Sequence, residues 1–130
     1  MLVEDDSDDR DLFCLIVHDI SSAIECIQFS NGKDALDYLA ITEKIPEIIF
    51  TDLDMHIVSG EEFIIELKKD KKTKDIPIYA YTTPFMFEHA REVTKSSVAG
   101  CVYKTSNFHD LEHNLNEALQ KHYSLTKELK

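Results

Sequence analysis

The side chains able to do chemistry in this chain gather at the ends of its apolar runs. Ile48-Ile49-Phe50-Thr51-Asp52-Leu53-Asp54 is apolar enough to be buried on both faces, and it ends abruptly in carboxylates. Met1-Leu2-Val3 likewise runs straight into Glu4-Asp5-Asp6. Pro77-Ile78-Tyr79-Ala80-Tyr81 ends in Thr82-Thr83, and the run from Val98 to Tyr103 ends in Lys104. Carboxylates brought together repel one another and raise one another's pKa unless a hard divalent cation sits among them. Magnesium suits such a set, because it takes one or two carboxylates, several waters and a phosphate oxygen. Thr82 and Lys104 add a hydroxyl and a fixed positive charge, and phosphoryl transfer needs little beyond positioning and neutralisation of the equatorial oxygens. Asp52 is therefore the candidate phosphoryl acceptor. Glu4, Asp5 and Asp52 with Lys104 leave a charge of about −2, which one Mg2+ neutralises before a phosphoryl adds roughly −1.5 to −2. The bland alternative is that Asp52 caps a turn, the commoner fate of a strand-end Asp.

Five strands and five helices must position these groups. The strands are the short apolar start, Ile24 to Phe29, the central run ending at Asp52, the run beginning at Pro77, and Val98 to Tyr103. Ser7 with Asp8 and Asp9 opens a helix whose apolar positions are Leu12, Leu15 and Ile16. Asn31-Gly32 opens a second on Ala35, Leu36, Leu39 and Ala40, and Ser59 with Glu62 is a capping box for a third on Phe63, Ile64 and Leu67. Pro84 fits the first position of a fourth, with Met86, Ala90 and Val93 on its stripe. Asn107 caps a last helix through Phe108, Leu111, Leu115 and Leu119, with residues 123–130 expected to fray. Strict alternation predicts one domain over residues 1–130: a flavodoxin-like, doubly wound α/β fold with a five-stranded parallel sheet in the order 2-1-3-4-5 and helices on both faces. Ligands of that topology bind at the switch point between strands 1 and 3, where Glu4, Asp5 and Asp52 meet.

Composition bounds the rest. With 130 residues, 43% hydrophobic and 30% charged, the chain is long enough for a single real core. A net charge of −11 opposes binding to nucleic acid or anionic membranes and favours a cation or a basic partner patch. No apolar run approaches the ~20 residues of a membrane span, and the acidic start is unlike a signal peptide, so the expected location is the cytoplasm. Cys14, Cys26 and Cys101 lie among apolar neighbours without metal or disulfide spacing and are expected to be reduced core residues. The run Lys68 to Asp75 reads as a solvated helix end, Asp8 and Asp9 as helix-start charges, and His109 with His113 as a solvated face rather than a metal site. Tyr79 and Tyr81 are expected to pack.

Val3-Glu4-Asp5-Asp6 with Arg10, Thr51-Asp52-Leu53-Asp54-Met55 with Gly60, Thr82-Thr83 and Tyr103-Lys104 together resemble the receiver domain of bacterial two-component response regulators. The resemblance spans essentially the whole chain, and its four motifs fall in order at strand ends. It implies that Asp52 is phosphorylated by a histidine kinase or histidine phosphotransfer protein. It further implies Mg2+ held by Asp5 and Asp52 with Glu4 nearby and the backbone carbonyl of Asp54 as a further ligand. Thr82 and Lys104 would sense the phosphoryl oxygens and draw in the loops after strands 3 and 4. The face of helix 4, strand 5 and helix 5 would then be read by a separate, unnamed downstream protein, with the chain a monomer or a weak phosphorylation-dependent dimer. Such a chain is not a conventional enzyme but an acceptor that assists its own phosphorylation and dephosphorylation.

Four departures from the pattern stand out. Cys101 occupies the position of an aromatic switch residue whose rotamer change a Cys cannot reproduce. His56 and Thr105 replace prolines near the acceptor, which loosens two loops. Thr83 is bulkier than the usual small residue, so with Asp54 it should restrict water at the phosphoryl group and lengthen its lifetime. Phe85, with polar His89 and Glu92 as its helical neighbours, is a candidate exposed partner contact. Two other functions compete. The Asp52-Leu53-Asp54 motif also resembles that of haloacid-dehalogenase-like phosphatases, with Asp52 as nucleophile, although that family carries it on the first strand and follows it with Gly-Thr where Met55-His56 stands here. A receiver-like binding module that is never phosphorylated is the third reading.

Overall fold

The computed structural model describes residues 1–126, with side chains through Tyr123. In chain order the elements are β1 (Leu2–Val3), α1 (Ser7–Ile20), β2 (Gln28–Phe29), α2 (Gly32–Ile41), β3 (Ile49–Thr51) and α3 (Gly60–Lys69). They continue with β4 (Ile78–Thr82), α4 (Pro84–Glu88), α5 (Glu92–Ser97), β5 (Gly100–Tyr103) and α6 (Phe108–Thr126). The five strands form one parallel sheet in the order β2-β1-β3-β4-β5, the flavodoxin-like arrangement expected from the alternation of elements.

Strand residues alternate between two cores. Met1, Val3, Ile49, Ile78 and Ala80 face one side, where α2 supplies Ala35 and Leu39 and α3 supplies Phe63, Ile64 and Leu67. Leu2, Phe50, Tyr79, Tyr81 and Val102 face the other, covered by Phe13, Ile16 and Val17 of α1 and by Leu111, Leu115 and Leu119 of α6. Both faces of the sheet are thus dry, which is why β3 and β4 read as continuous apolar runs rather than alternating ones. Phe13 sits edge-on to Phe50 and Tyr81, with centroids 5.0 and 5.1 Å away, so the packing expected of the strand tyrosines holds.

Several local expectations need correction. Asp6, not Ser7, caps α1: its Oδ1 accepts from the Asp9 N–H at 2.9 Å. Leu15 is exposed, its share of the core taken by Phe13 and Val17, and Ala40 is exposed while Tyr38 packs against the core. The second strand is short: residues 22–24 turn locally, and the chain bonds β1 only from Ile27 onward. The fourth helix is split, and the break has a cause. Glu61 of α3 takes both the Arg91 N–H at 2.9 Å and the Thr94 hydroxyl at 2.6 Å, starting a separate α5. Thr94 is then buried and Val93 exposed. Phe108 is exposed at the start of α6. That helix continues through Thr126 with Tyr123 buried, and 127–130, on which part of the expected fraying falls, lie outside the described residues. Cys14 and Cys26 are not reduced core thiols. They form a disulfide with Cα atoms 6.0 Å apart, joining α1 to the segment before β2, while Cys101 is free. No described helix is long and apolar enough to cross a membrane.

Candidate functional site at the switch point

Register brings the acids together. β1 pairs with β3 as Leu2 with Phe50 and Val3 with Thr51, and the Asp52 N–H reaches the Val3 carbonyl at 3.0 Å. The residues just beyond these strand ends are therefore Glu4 and Asp5 on one side and Asp52 on the other. One carboxylate oxygen from each of the three lies within 4.8 Å of the others.

Glu4 is fully buried. Its Oε2 accepts from the Asp6 N–H at 3.1 Å, and its backbone carbonyl accepts from Arg10 Nη1 at 2.9 Å. Asp52, also buried, accepts from the Asp54 N–H at Oδ1 (3.2 Å) and from Lys104 Nζ at Oδ2 (3.0 Å). Gly60, the first residue of α3, lies against the Asp52 carbonyl so closely that no side chain fits there. The site is thus braced from below by α3 and from the side by α1.

Lys104 is the shared cation. Its backbone N–H donates to the Thr82 carbonyl at 2.8 Å, which fixes β5's end to β4's, and its ammonium also lies 2.7 Å from Glu4 Oε1 and 3.2 Å from Asp9 Oδ2. Burial works against that charge, but Glu4 and Asp52 outweigh it and hold the lysine pKa above its ordinary value. Burial pushes the Glu4 carboxyl the other way, up to about 7, and the neighbouring Asp52 charge adds to the push while Lys104 opposes it. The buried Glu4 Oε1 has the Lys104 ammonium at 2.7 Å and no other partner among the described residues. A buried acceptor of that kind beside two further carboxylates has the donor chemistry of a hard-cation site, and the set fits Mg2+.

Asp9 is the site residue that the sequence reading set aside as a helix-start charge. Its signal was the excess of six acids in the first eleven residues, more than capping needs. Arg10, noted only as part of a motif, grips the chain at Glu4. Thr82 is buried at the end of β4. Thr83 is exposed and caps α4 through its hydroxyl, which accepts from the Met86 N–H at 3.3 Å. Asp54 is exposed. Phe85 is 65% exposed and stacks on His89 with centroids 4.2 Å apart. Cys101 packs half-buried against the core that holds Ile78 and Ala80, its thiol pKa pushed up to about 12 by burial. His109 and His113 join no three-ligand cluster among the described residues.

A parallel sheet in this order with carboxylates and a lysine at its switch point defines a doubly wound α/β domain of the flavodoxin-like class, built to hold a charged ligand beyond its strand ends. Residues 1–116 match the family described as the response regulator receiver domain, and the chain belongs to that family. It is 29% identical over 91 residues to the probable methanogenesis regulatory protein FilR2 of Methanothrix harundinacea, covering 67% of this chain and 59% of that protein. It is 35% identical over 82 residues to the polar-differentiation response regulator DivK of Brucella anthropi, covering 63% of each. The chain spans about three fifths of the length of both relatives. The solved structure of the chemotaxis response regulator CheY4 of Vibrio cholerae superposes with a TM-score of 0.74 at 22% identity, covering 93% of this chain and 94% of that one, and shares the fold.

Proposed function

We propose that Asp52 accepts a phosphoryl group from a histidine kinase or a histidine phosphotransfer protein, in the cytoplasm and with Mg2+. Asp5 and Asp52 would hold the ion with Glu4 nearby and the backbone carbonyl of Asp54 as a further ligand. The observation that carries this reading is the ammonium of Lys104, 3.0 Å from Asp52 Oδ2 at the centre of the acidic cluster in a chain of the receiver family. An Asp52 oxygen attacks phosphorus, the phosphorus–nitrogen bond of the donor phosphohistidine breaks, and the imidazole leaves with the electron pair. Bound Mg2+ supplies charge neutralisation among the carboxylates and the incoming oxygens. Lys104 exchanges its carboxylate partners for a phosphoryl oxygen, and the Thr82 hydroxyl takes another. Because the Lys104 N–H is bonded to the Thr82 carbonyl, movement at either residue passes to both strand ends.

The change then reaches the face formed by α4, β5 and α6, where a separate protein reads it. Phe85 is a contact on that face. Cys101 leaves the switch without its usual aromatic. Thr83 and Asp54 flank the acceptor and limit attack by water when the phosphoryl group is lost. The phosphatase alternative is disfavoured by Asp52 following the third strand rather than the first, and by the exposure of Asp54.

Intact-protein mass spectrometry after incubation with acetyl phosphate tests the proposal. The expected result is one phosphate gained by wild type, dependent on Mg2+ and absent from Asp52→Asn, with no sustained hydrolysis of a phosphate ester. Sustained ester turnover would support the phosphatase instead, and no gain with Mg2+ bound would support the silent binding module.

A further inference from the structure

The disulfide between Cys14 and Cys26 is tied at both ends to the backbone of Glu4. On the helix side, Cys14 lies one turn beyond Arg10, whose Nη1 donates to the Glu4 carbonyl at 2.9 Å. On the strand side, Cys26 runs directly into Ile27, whose carbonyl accepts from the Leu2 N–H at 2.8 Å, and then into Phe29, whose carbonyl accepts from the Glu4 N–H at 3.0 Å. The Cys14–Cys26 bond closes this path into a ring: Glu4, Arg10, Cys14, Cys26, Phe29 and back to Glu4.

The disulfide is also the covalent anchor of a segment whose first turn is bonded locally. Ala23 N–H turns back to the Ser21 hydroxyl at 3.3 Å, and Ile24 N–H turns back to the Ser21 carbonyl at 3.2 Å. Ile24 and Cys26 are packed only partly into the core beside α1. Both sulfurs belong to half-buried residues, not to the fully buried core.

We propose that Cys14 and Cys26 are a reversible dithiol–disulfide couple that sets how firmly the Glu4 segment is held. Oxidation by a small-molecule disulfide proceeds in two exchanges. One cysteine thiolate attacks the small disulfide, forming a mixed disulfide and releasing one small thiolate. The second cysteine thiolate then attacks the mixed disulfide, forming the Cys14–Cys26 bond and releasing the second. Two protein thiols lose two protons and two electrons, and the small disulfide is reduced to two thiols. Reduction reverses both steps and leaves residues 21–27 held by the Leu2–Ile27 hydrogen bond and the partial packing of Ile24 and Cys26. Any effect on Mg2+ rests on the function proposed above; the ring around Glu4 does not.

The test uses the wild-type chain equilibrated across ratios of reduced to oxidised glutathione, quenched in acid, alkylated in denaturant and weighed. The expected result is three adducts at the reducing end and one at the oxidising end, joined by a single reversible transition, with Cys101 the residue that stays alkylated. Amide hydrogen exchange on the same samples should show Leu2 and Glu4 exchanging about tenfold faster when reduced, with Ile78–Thr82 of β4 changed by less than about twofold. Cys14→Ser should reproduce the reduced pattern under oxidising conditions, and Cys101→Ser should change nothing. Three adducts at every ratio, equal exchange at Glu4 in both states, or uniform acceleration across the sheet would each overturn the proposal. Calorimetric titration with Mg2+ of the two redox states is read separately. Weaker binding in the reduced state extends the coupling to the acceptor site, whereas equal binding with faster Glu4 exchange counts against the Mg2+ geometry and not against the redox couple.

Discussion

Gly60→Ala isolates the contact that braces Asp52. A Cβ at residue 60 would fall 1.9 Å from the Asp52 carbonyl oxygen, 2.5 Å from Leu53 Cα and 2.7 Å from the Asp52 carbonyl carbon. Carbon atoms in good contact sit roughly 3.5–4.0 Å apart, so α3 or the 52–53 backbone must move by about 1 Å or more. None of the three atoms belongs to a side chain that can rotate away. Overpacking costs about 1–3 kcal/mol, and a backbone-to-backbone clash belongs at the upper end. The same movement stretches the Gly60 N–H bond to the Leu53 carbonyl, now 3.2 Å, at a further cost of about 1 kcal/mol. Alanine's better helix propensity returns at most about 1 kcal/mol. The net expectation is destabilisation by about 3 kcal/mol in urea unfolding followed by far-ultraviolet circular dichroism, together with weaker Mg2+ binding because Asp52 is displaced. A loss below about 1 kcal/mol with unchanged Mg2+ affinity would refute the reasoning, since the clash leaves no cheaper relaxation.

Ile57, in the loop after Asp52, has φ of 70° and is 74% exposed, so it carries the left-handed penalty of a β-branched residue without compensating burial. Ile57→Gly is expected to gain about 1 kcal/mol in the same urea assay, and a loss of stability would show that the side chain packs. Because the folded state raises the Glu4 pKa from 4.5 to about 7, it binds the proton more tightly than the unfolded chain does. That contribution is fully present below the unfolded value and lost as pH rises through 7. Metal-free wild type should therefore lose up to about 3 kcal/mol between pH 5 and 8 from this group, and Glu4→Gln should flatten that slope; equal slopes in the two proteins would remove Glu4 as its source. Thr83→Ala should shorten the phosphoryl lifetime several-fold, measured as the decay of the phosphorylated mass after acetyl phosphate is removed. It also removes a helix cap worth about 1 kcal/mol, so Thr83→Ser, which keeps the hydroxyl, is the control; an unchanged lifetime in the alanine variant would reject steric gating.

Most of the sheet was legible because its strands announce themselves by apolar runs bounded by charge. The meeting of Glu4, Asp5 and Asp52 follows from strand order alone, since adjacent parallel strands end side by side. The capping box at Ser59 and Glu62 was legible for the same local reason. What escaped depended on long-range contacts with no sequence period. Glu61 splits the fourth helix from a different helix, thirty residues away from Arg91. Asp9 looks like any acid in a first helical turn until Lys104 arrives from the far edge of β5. The Cys14–Cys26 pair has no motif, because its closeness comes from the chain doubling back through residues 21–27. Ile57's backbone was invisible for the opposite reason: a β-branched residue gives no hint of positive φ.

The most direct test of the central claim is to locate the phosphoryl group itself. Wild type loaded with acetyl phosphate and Mg2+ is treated with borohydride, which reduces an aspartyl phosphate to homoserine, and the peptides are sequenced by tandem mass spectrometry. Homoserine at position 52, lost in Asp52→Asn, is the predicted result. Homoserine at position 5 or 54 in the wild type, or a phosphate resistant to borohydride, would contradict it.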